Sequence, residues 1–302
     1  VLSTLAQWMK FTFWSNPTKA LVESAEQGDL EGVKNALKYK VDNNATNEAL
    51  IKSAEKGHVD VTRVLLEHGA DVHAQTKTSE MHRIGEQQYQ QVIVQQKESA
   101  LRRSAENGRL DVVKLLLENG ADVQTPATYT TSGSSAKMQN DLALIQSAKN
   151  GHFYVVRLLL EYGADARAIS TSYNRTKPEC TFYPLQFSVE NGHTDIVQLL
   201  LENRKDISNT VVNRMFRWAA VTGHVGVLRL LLQHGADINA RHHEKKESSE
   251  LYNFSYNPYV RPEFVDINYN ALKSSVRKGH LNVVQFLLDH GATVDDDVLI
   301  FC

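Results

Sequence analysis

At 302 residues, 42% hydrophobic and 23% charged, the chain has the composition of an ordinary folded protein and the length of two domains or of one linear repeat array. Its 33 basic and 35 acidic residues leave a formal charge of −2, which gives neither nucleic acid nor an anionic membrane an electrostatic hold. Two cysteines, Cys180 and Cys302, exclude a disulfide framework and point to a reducing compartment, and no apolar run is long enough to span a bilayer.

Residues 1–18 read as a capping segment. Leu2, Leu5, Trp8, Met9, Phe13 and Trp14 form a partly helical apolar series that can cover the end of an array, or dock a missing domain. The chain opens at Val1 with no basic stretch ahead of an apolar core, so no signal peptide is expected, and the missing initiator Met suggests a fragment or a processed chain.

From Ala20 onward one phrase recurs. Its clearest copy, Ala100–Val123, reads Ala-Leu-Arg-Arg-Ser-Ala-Glu-Asn-Gly and then Arg-Leu-Asp-Val-Val-Lys-Leu-Leu-Leu-Glu-Asn-Gly-Ala-Asp-Val. It returns at Ala49–Val72, Ala143–Ala166, Pro184–Ile207, Met215–Ile238 and Ala271–Val294, with a weaker opening copy at Ala20–Leu37. Seven repeats are therefore predicted near 19–42, 47–73, 98–124, 141–166, 183–208, 213–240 and 270–295. The internal glycines Gly28, Gly57, Gly108, Gly151, Gly192, Gly223 and Gly279 step by 29, 51, 43, 41, 31 and 56 residues, so the unit is fixed and the connections vary.

The phrase has a mechanical reading. Ala100–Asn107 is a short helix whose small residues allow close contact, and Gly108 ends it in the left-handed conformation. In the second helix, Leu110–Glu118, apolar residues at 110, 112, 113, 115, 116 and 117 make a stripe too broad for one buried side. Such a helix packs on its own partner and on the next repeat, so stability depends on stacking. Residues 297–302, with Val298-Leu-Ile-Phe-Cys302, read as the start of an eighth unit that breaks off.

Four inserts interrupt the array: Gln75–Glu98, Thr125–Asn140, Arg167–Tyr183 and Arg241–Asn270. The first is glutamine-rich around Tyr89-Gln-Gln-Val-Ile-Val-Gln-Gln96, and β-hairpin and short helix both stay open for it. The second is poor in apolar residues and reads as mobile. The last carries Tyr252, Phe254, Tyr256, Tyr259, Phe264 and Tyr269 among polar residues, and these aromatics either bind a partner or pack the insert down.

The phrase resembles the ankyrin repeat from Ala20 to Val294. The resemblance implies an all-α solenoid of stacked helix-turn-helix units with extended β-turn or hairpin loop inserts. Its usual Thr-Pro-Leu-His opening survives only in part as Pro184-Leu185-Gln186, so Asn47, Ser99 and Asp141 are expected as replacement helix caps. The resemblance also implies binding of a partner protein through loop tips and the concave face of the first helices. Carried onto this chain, the residues ahead of each turn glycine become candidates: Glu55 with Lys56, Glu106 with Asn107, Lys149 with Asn150, Glu190 with Asn191, Val221 with Thr222, and Arg277 with Lys278. Tyr89, Tyr173 and Phe182 join them from the inserts. Three functions stay open: a protein-binding scaffold, the recognition module of a larger enzyme or of a secreted effector of an intracellular microbe, and a small-ligand or nucleotide site using the adjacent Arg217 and Trp218.

Catalytic chemistry has no support in the sequence. His58, His152, His193, His224 and His280 each follow a repeat glycine, one per repeat and too far apart to share a metal, so they read as structural turn residues. His242-His243 lacks a zinc-like spacing, Cys180 has no base, and no phosphate-cradling glycine loop occurs. No metal or cofactor is expected, the chain reads as a monomeric non-enzyme, and its compartment reads as cytoplasmic, meaning the host cytosol if it is an effector. Asp237-Ile238-Asn239 is similar to the acceptor pattern of asparaginyl hydroxylases, with an unmodified turn asparagine as the plainer reading.

Overall fold

A computed structural model describes residues 16–83, 91–124, 127–131, 134–139, 142–166, 169–170, 183–203, 207–240 and 270–294. Residues 1–15 of the expected capping segment, residues 295–302 with the expected start of an eighth unit, Asp141, both cysteines and residues 241–269 of the tyrosine-rich insert lie outside the described residues. The chain divides into two compact units, Val1–Met81 with Gln91–Thr171, and His82–Gln90 with Ser172–Cys302.

Among the described residues the first unit holds four helix pairs: α1 (Pro17–Gln27) and α2 (Leu30–Ala36), α3 (Asn43–Lys56) and α4 (Val59–Glu67), α5 (Ala100–Glu106) and α6 (Leu110–Glu118), α7 (Leu142–Lys149) and α8 (Phe153–Glu161). The second holds three: α9 (Tyr183–Glu190) and α10 (Thr194–Glu202), α11 (Asn209–Thr222) and α12 (Val225–Gln233), α13 (Ala271–Lys278) and α14 (Leu281–Asp289). Within each unit first helices pack on first helices and second on second.

Local chemistry sets the boundaries. Side-chain oxygens of Asn16, Asp29, Asp42, Ser99 and Asn270 accept backbone N–H groups in the first turns of α1, α2, α3, α5 and α13, satisfying donors a helix start leaves open. The Ser99 cap was expected; the Asn47 cap is not there. Asp42 caps at Ala45 N instead, so α3 opens four residues before the predicted boundary and Asn47 falls inside it. Helix α11 likewise begins at Asn209 rather than near 213, and Pro17 takes the first position of α1, so that helix reaches back into the segment expected to be a cap.

Within each unit two buried columns run through the pairs. Ser53, Ser104, Ser147, Ser188 and Ser275 are 0% exposed and donate Oγ–H to a carbonyl one turn back, at 2.6–3.1 Å. A small residue there lets helices approach, and the back-bond removes the cost of burying its hydroxyl. Leu65, Leu116, Leu159, Leu231 and Leu287 form the other column, also at 0%. Five second helices, α4, α6, α8, α12 and α14, close in a Gly-Ala turn: Ala70, Ala121, Ala164, Ala236 and Ala292 donate N–H to those same leucine carbonyls at 2.9–3.0 Å.

Among the described residues three inserts contain strands. β1 (Gln75–Arg83) pairs with β2 (Gln91–Ser99), which resolves the first insert as a hairpin rather than a helix. The second insert, expected to be mobile, is a strand pair. β3 (Ala127–Thr131) runs antiparallel to β4 (Ser134–Gln139) from Ala127↔Met138 to Thr131↔Ser134. β5 (Ile169–Ser170), from the third insert, adds to β4 at Met138↔Ser170 and Gln139↔Ile169. Ladder hydrogen bonds and threonine content order what low hydrophobicity alone would leave loose.

Candidate protein-binding face

The turns between first and second helices are tied to the preceding repeat by one recurring bond. Nε2 of His58, His152, His224 and His280 lies 3.1, 2.9, 2.9 and 2.9 Å from the carbonyl oxygens of Glu26, Glu106, Glu190 and Val221. Arg109, which replaces the histidine in the third repeat, donates from Nε to Glu55 O at 3.3 Å. These imidazoles join neighbouring repeats, in line with their reading as structural residues. Among the described residues no three His, Cys, Asp or Glu side chains gather as a metal site.

The turn-tip candidates are occupied locally. Lys56 Nζ lies 3.9 Å from both Glu26 and Glu55. Exposed Asn107 and Asn191 donate Nδ2–H to their own helices, at Arg103 O and Phe187 O, both 2.8 Å. Asn150 reaches across to Glu106 O at 2.8 Å. All four keep surface at the tips, so a partner would meet them already held in place. Tyr89, Tyr173, Phe182, Tyr252, Phe254, Tyr256, Tyr259 and Phe264 lie outside the described residues.

Arg217 and Trp218 are not a surface pair. Trp218 is 1% exposed and Arg217 6%, because α11 is packed between α9 and α13 and its residues Met215, Phe216 and Trp218 fill that layer. An indole with no open face cannot stack on a nucleobase, which removes the aromatic half of the small-ligand reading. Burial lowers the Arg217 pKa from its ordinary value and the Arg214 charge lowers it further, yet a guanidinium remains cationic at neutral pH. Its Nε is buried and unpartnered, as is Nε2 of Gln186, which is 1% exposed.

Asn239 is also engaged. Its Oδ1 accepts from Thr293 N and Thr293 Oγ1 at 2.9 and 3.1 Å, and its Nδ2 donates to Gly291 O at 3.4 Å. The side chain therefore pins one closing turn to the next, and an oxygenase would have to loosen that joint to reach it. Sequence reasoning missed a related pair: Asn47 Oδ1 accepts from Asp71 N at 2.9 Å and Asn213 Oδ1 from Asp237 N at 2.7 Å. Their shared place, ten residues before the turn glycine in both long first helices, was the available signal.

The sequence matches the family described as "Ankyrin repeats (3 copies)" over residues 21–127, 81–170 and 144–242, together well over half the chain. The chain belongs to the ankyrin-repeat family. Among solved structures it is similar to the human ASB11 ankyrin repeat domain, at 22% identity and a TM-score of 0.59, covering 91% of this chain and 99% of that one. As 475 solved chains match, the likeness establishes the fold and selects no partner. No curated protein matches significantly. Ankyrin repeats are generally protein–protein interaction modules and typically non-enzymatic. Among the described residues no helix of this array is long and apolar enough to cross a membrane.

Proposed function

We propose that this ankyrin array is a protein-binding scaffold that takes its partner on the concave face of the first helices and on the loop inserts. What carries the reading is the use made of the long connections: three of them contribute residues to paired strands, a two-stranded and a three-stranded sheet. Loops of this length in a compact domain usually serve function, and repeat proteins gather such insertions on one face, often the binding face. The tyrosine-rich insert would offer a partner large, rigid contact groups. Cys180 and Cys302, without a framework to oxidise, fit work in a reducing compartment such as the cytoplasm.

Partner capture from eukaryotic cytosol tests this, comparing the intact chain with one lacking Arg241–Asn270 whose melting shows it folds. Partners lost with the insert place recognition there; partners retained place it on the helices and hairpins. No reproducible partner with either chain refutes the reading.

A further inference from the structure

Asparagine precedes glycine four times in this chain, as Asn107-Gly108, Asn119-Gly120, Asn150-Gly151 and Asn191-Gly192, each just past a helix and with the asparagine exposed. Asparagine is a thermolabile residue, and before glycine it can react with its own backbone, because no side chain keeps the glycine nitrogen from the neighbouring amide carbon. The reaction is held back where both groups are held in place. Three of the pairs are held within their own repeat. Asn107, Asn119 and Asn191 donate Nδ2–H to the carbonyls of Arg103, Leu115 and Phe187, one turn back in the same helix, each at 2.8 Å. Their glycines donate N–H to the carbonyls of Ala105, Leu117 and Val189 at 3.2, 3.0 and 3.2 Å, so the attacking nitrogen is engaged as well.

Asn150-Gly151 differs on both counts. Asn150 donates Nδ2–H across to Glu106 O, in the preceding repeat, at 2.8 Å, and the same carbonyl meets His152 Nε2 at 2.9 Å. Among the described residues Gly151 N–H makes no backbone hydrogen bond. The Asn150 side chain is therefore held across the joint between the third and fourth repeats rather than by its own helix. A local opening of that joint releases it while the helix stays formed. At the other three pairs the same opening leaves the intrahelical bonds in place.

We propose that Asn150-Gly151 is a self-modification site, at which the chain deamidates and forms isoaspartate when this joint opens. Gly151 N bonds to Asn150 Cγ, the Cγ–Nδ2 bond breaks, and ammonia leaves with the Gly151 amide proton, closing a succinimide ring. Water then opens the ring at either carbonyl. Attack at Cγ leaves aspartate; attack at the main-chain carbonyl carbon of Asn150 leaves isoaspartate, whose backbone runs through the former side chain. No electrons change hands. Either product is a carboxylate at neutral pH, which accepts hydrogen bonds and donates none, so it faces Glu106 O with nothing to offer. The modification turns a transient opening into a lasting one.

The test incubates the full chain in mildly alkaline buffer made with heavy-oxygen water and follows the four Asn-Gly peptides by mass spectrometry. An isoaspartate methyltransferase labels the isomerised product. Conversion is expected first at Asn150, ahead of Asn107, Asn119 and Asn191. His152→Ala removes the second bond to Glu106 O and should raise the Asn150 rate about fivefold, the effect of about 1 kcal/mol on an opening equilibrium. The rates at Asn119 and Asn191 should stay as they are. Melting curves confirm that this variant folds; if it does not, urea below the unfolding transition must speed Asn150 in the parent more than the other three. Asn150→Asp should melt below the parent, as the converted chain does. Conversion that begins at another pair, runs at one rate in all four or never occurs overturns the proposal. So does an unchanged Asn150 rate in a folded His152→Ala chain, or an Asn150→Asp chain as stable as the parent.

Discussion

Replacing Gly108 by alanine is expected to weaken the joint between the third and fourth repeats by about 2–3 kcal/mol. Gly108 sits at φ 67°, a left-handed conformation that costs an alanine roughly 1–2 kcal/mol. An added Cβ would also stand 2.5 Å from His152 Nδ1 and 2.7 Å from its Cε1, closer than carbon approaches either atom. The ring cannot retreat freely, because its Nε2 holds Glu106 O at 2.9 Å; giving up that bond costs about 1 kcal/mol more. Gly120 is the internal control, with φ 84° and nothing within 4 Å of its would-be Cβ, so Gly120→Ala pays the backbone cost alone. Urea unfolding of both variants, alone and with His152→Ala, isolates the contact: with the imidazole gone, Gly108→Ala should cost no more than Gly120→Ala. Equal losses for the two glycines in the parent background, or additive behaviour with His152→Ala, would refute this account of how the repeats are joined.

Three further outcomes follow from burial and bonding. Leu116→Ala, at a 0% exposed site, should lower stability by roughly 2–5 kcal/mol, whereas Leu281→Ala, at 79% exposure, should stay within about 0.5 kcal/mol, both by denaturant titration. Asn239→Ala removes the acceptor of two Thr293 bonds and should cost about 1–2 kcal/mol in thermal melting; no loss would mean the closing turns are not coupled there. Trp218→Ala should cost about 3–5 kcal/mol by the same melt, and a stable variant would show that the indole is not a core residue.

The repeating phrase carried the helical architecture, because each boundary is set by neighbours in sequence: a cap such as Ser99, a glycine such as Gly108, a Gly-Ala turn such as Gly120-Ala121. Contacts between repeats were harder to read. Asn47 has the chemistry of a cap, but Asp42 stands earlier in the chain and the amide of Asp71 claims the Asn47 oxygen. The strands of Thr125–Asn140 depend on pairing across a turn and on Ile169–Ser170, which composition does not record. Arg217 and Trp218 looked like an exposed pair until stacking of α11 between its neighbours buried both.

The most direct test of the binding-face account is cross-linking mass spectrometry of the intact chain with a captured partner. The account predicts partner cross-links at lysines of the first helices and their tips, Lys52, Lys56, Lys149, Lys273 and Lys278. Lys34 and Lys114, on second helices, should be spared. Cross-links concentrated on Lys34 and Lys114 would contradict it and move recognition to the opposite side of the repeats.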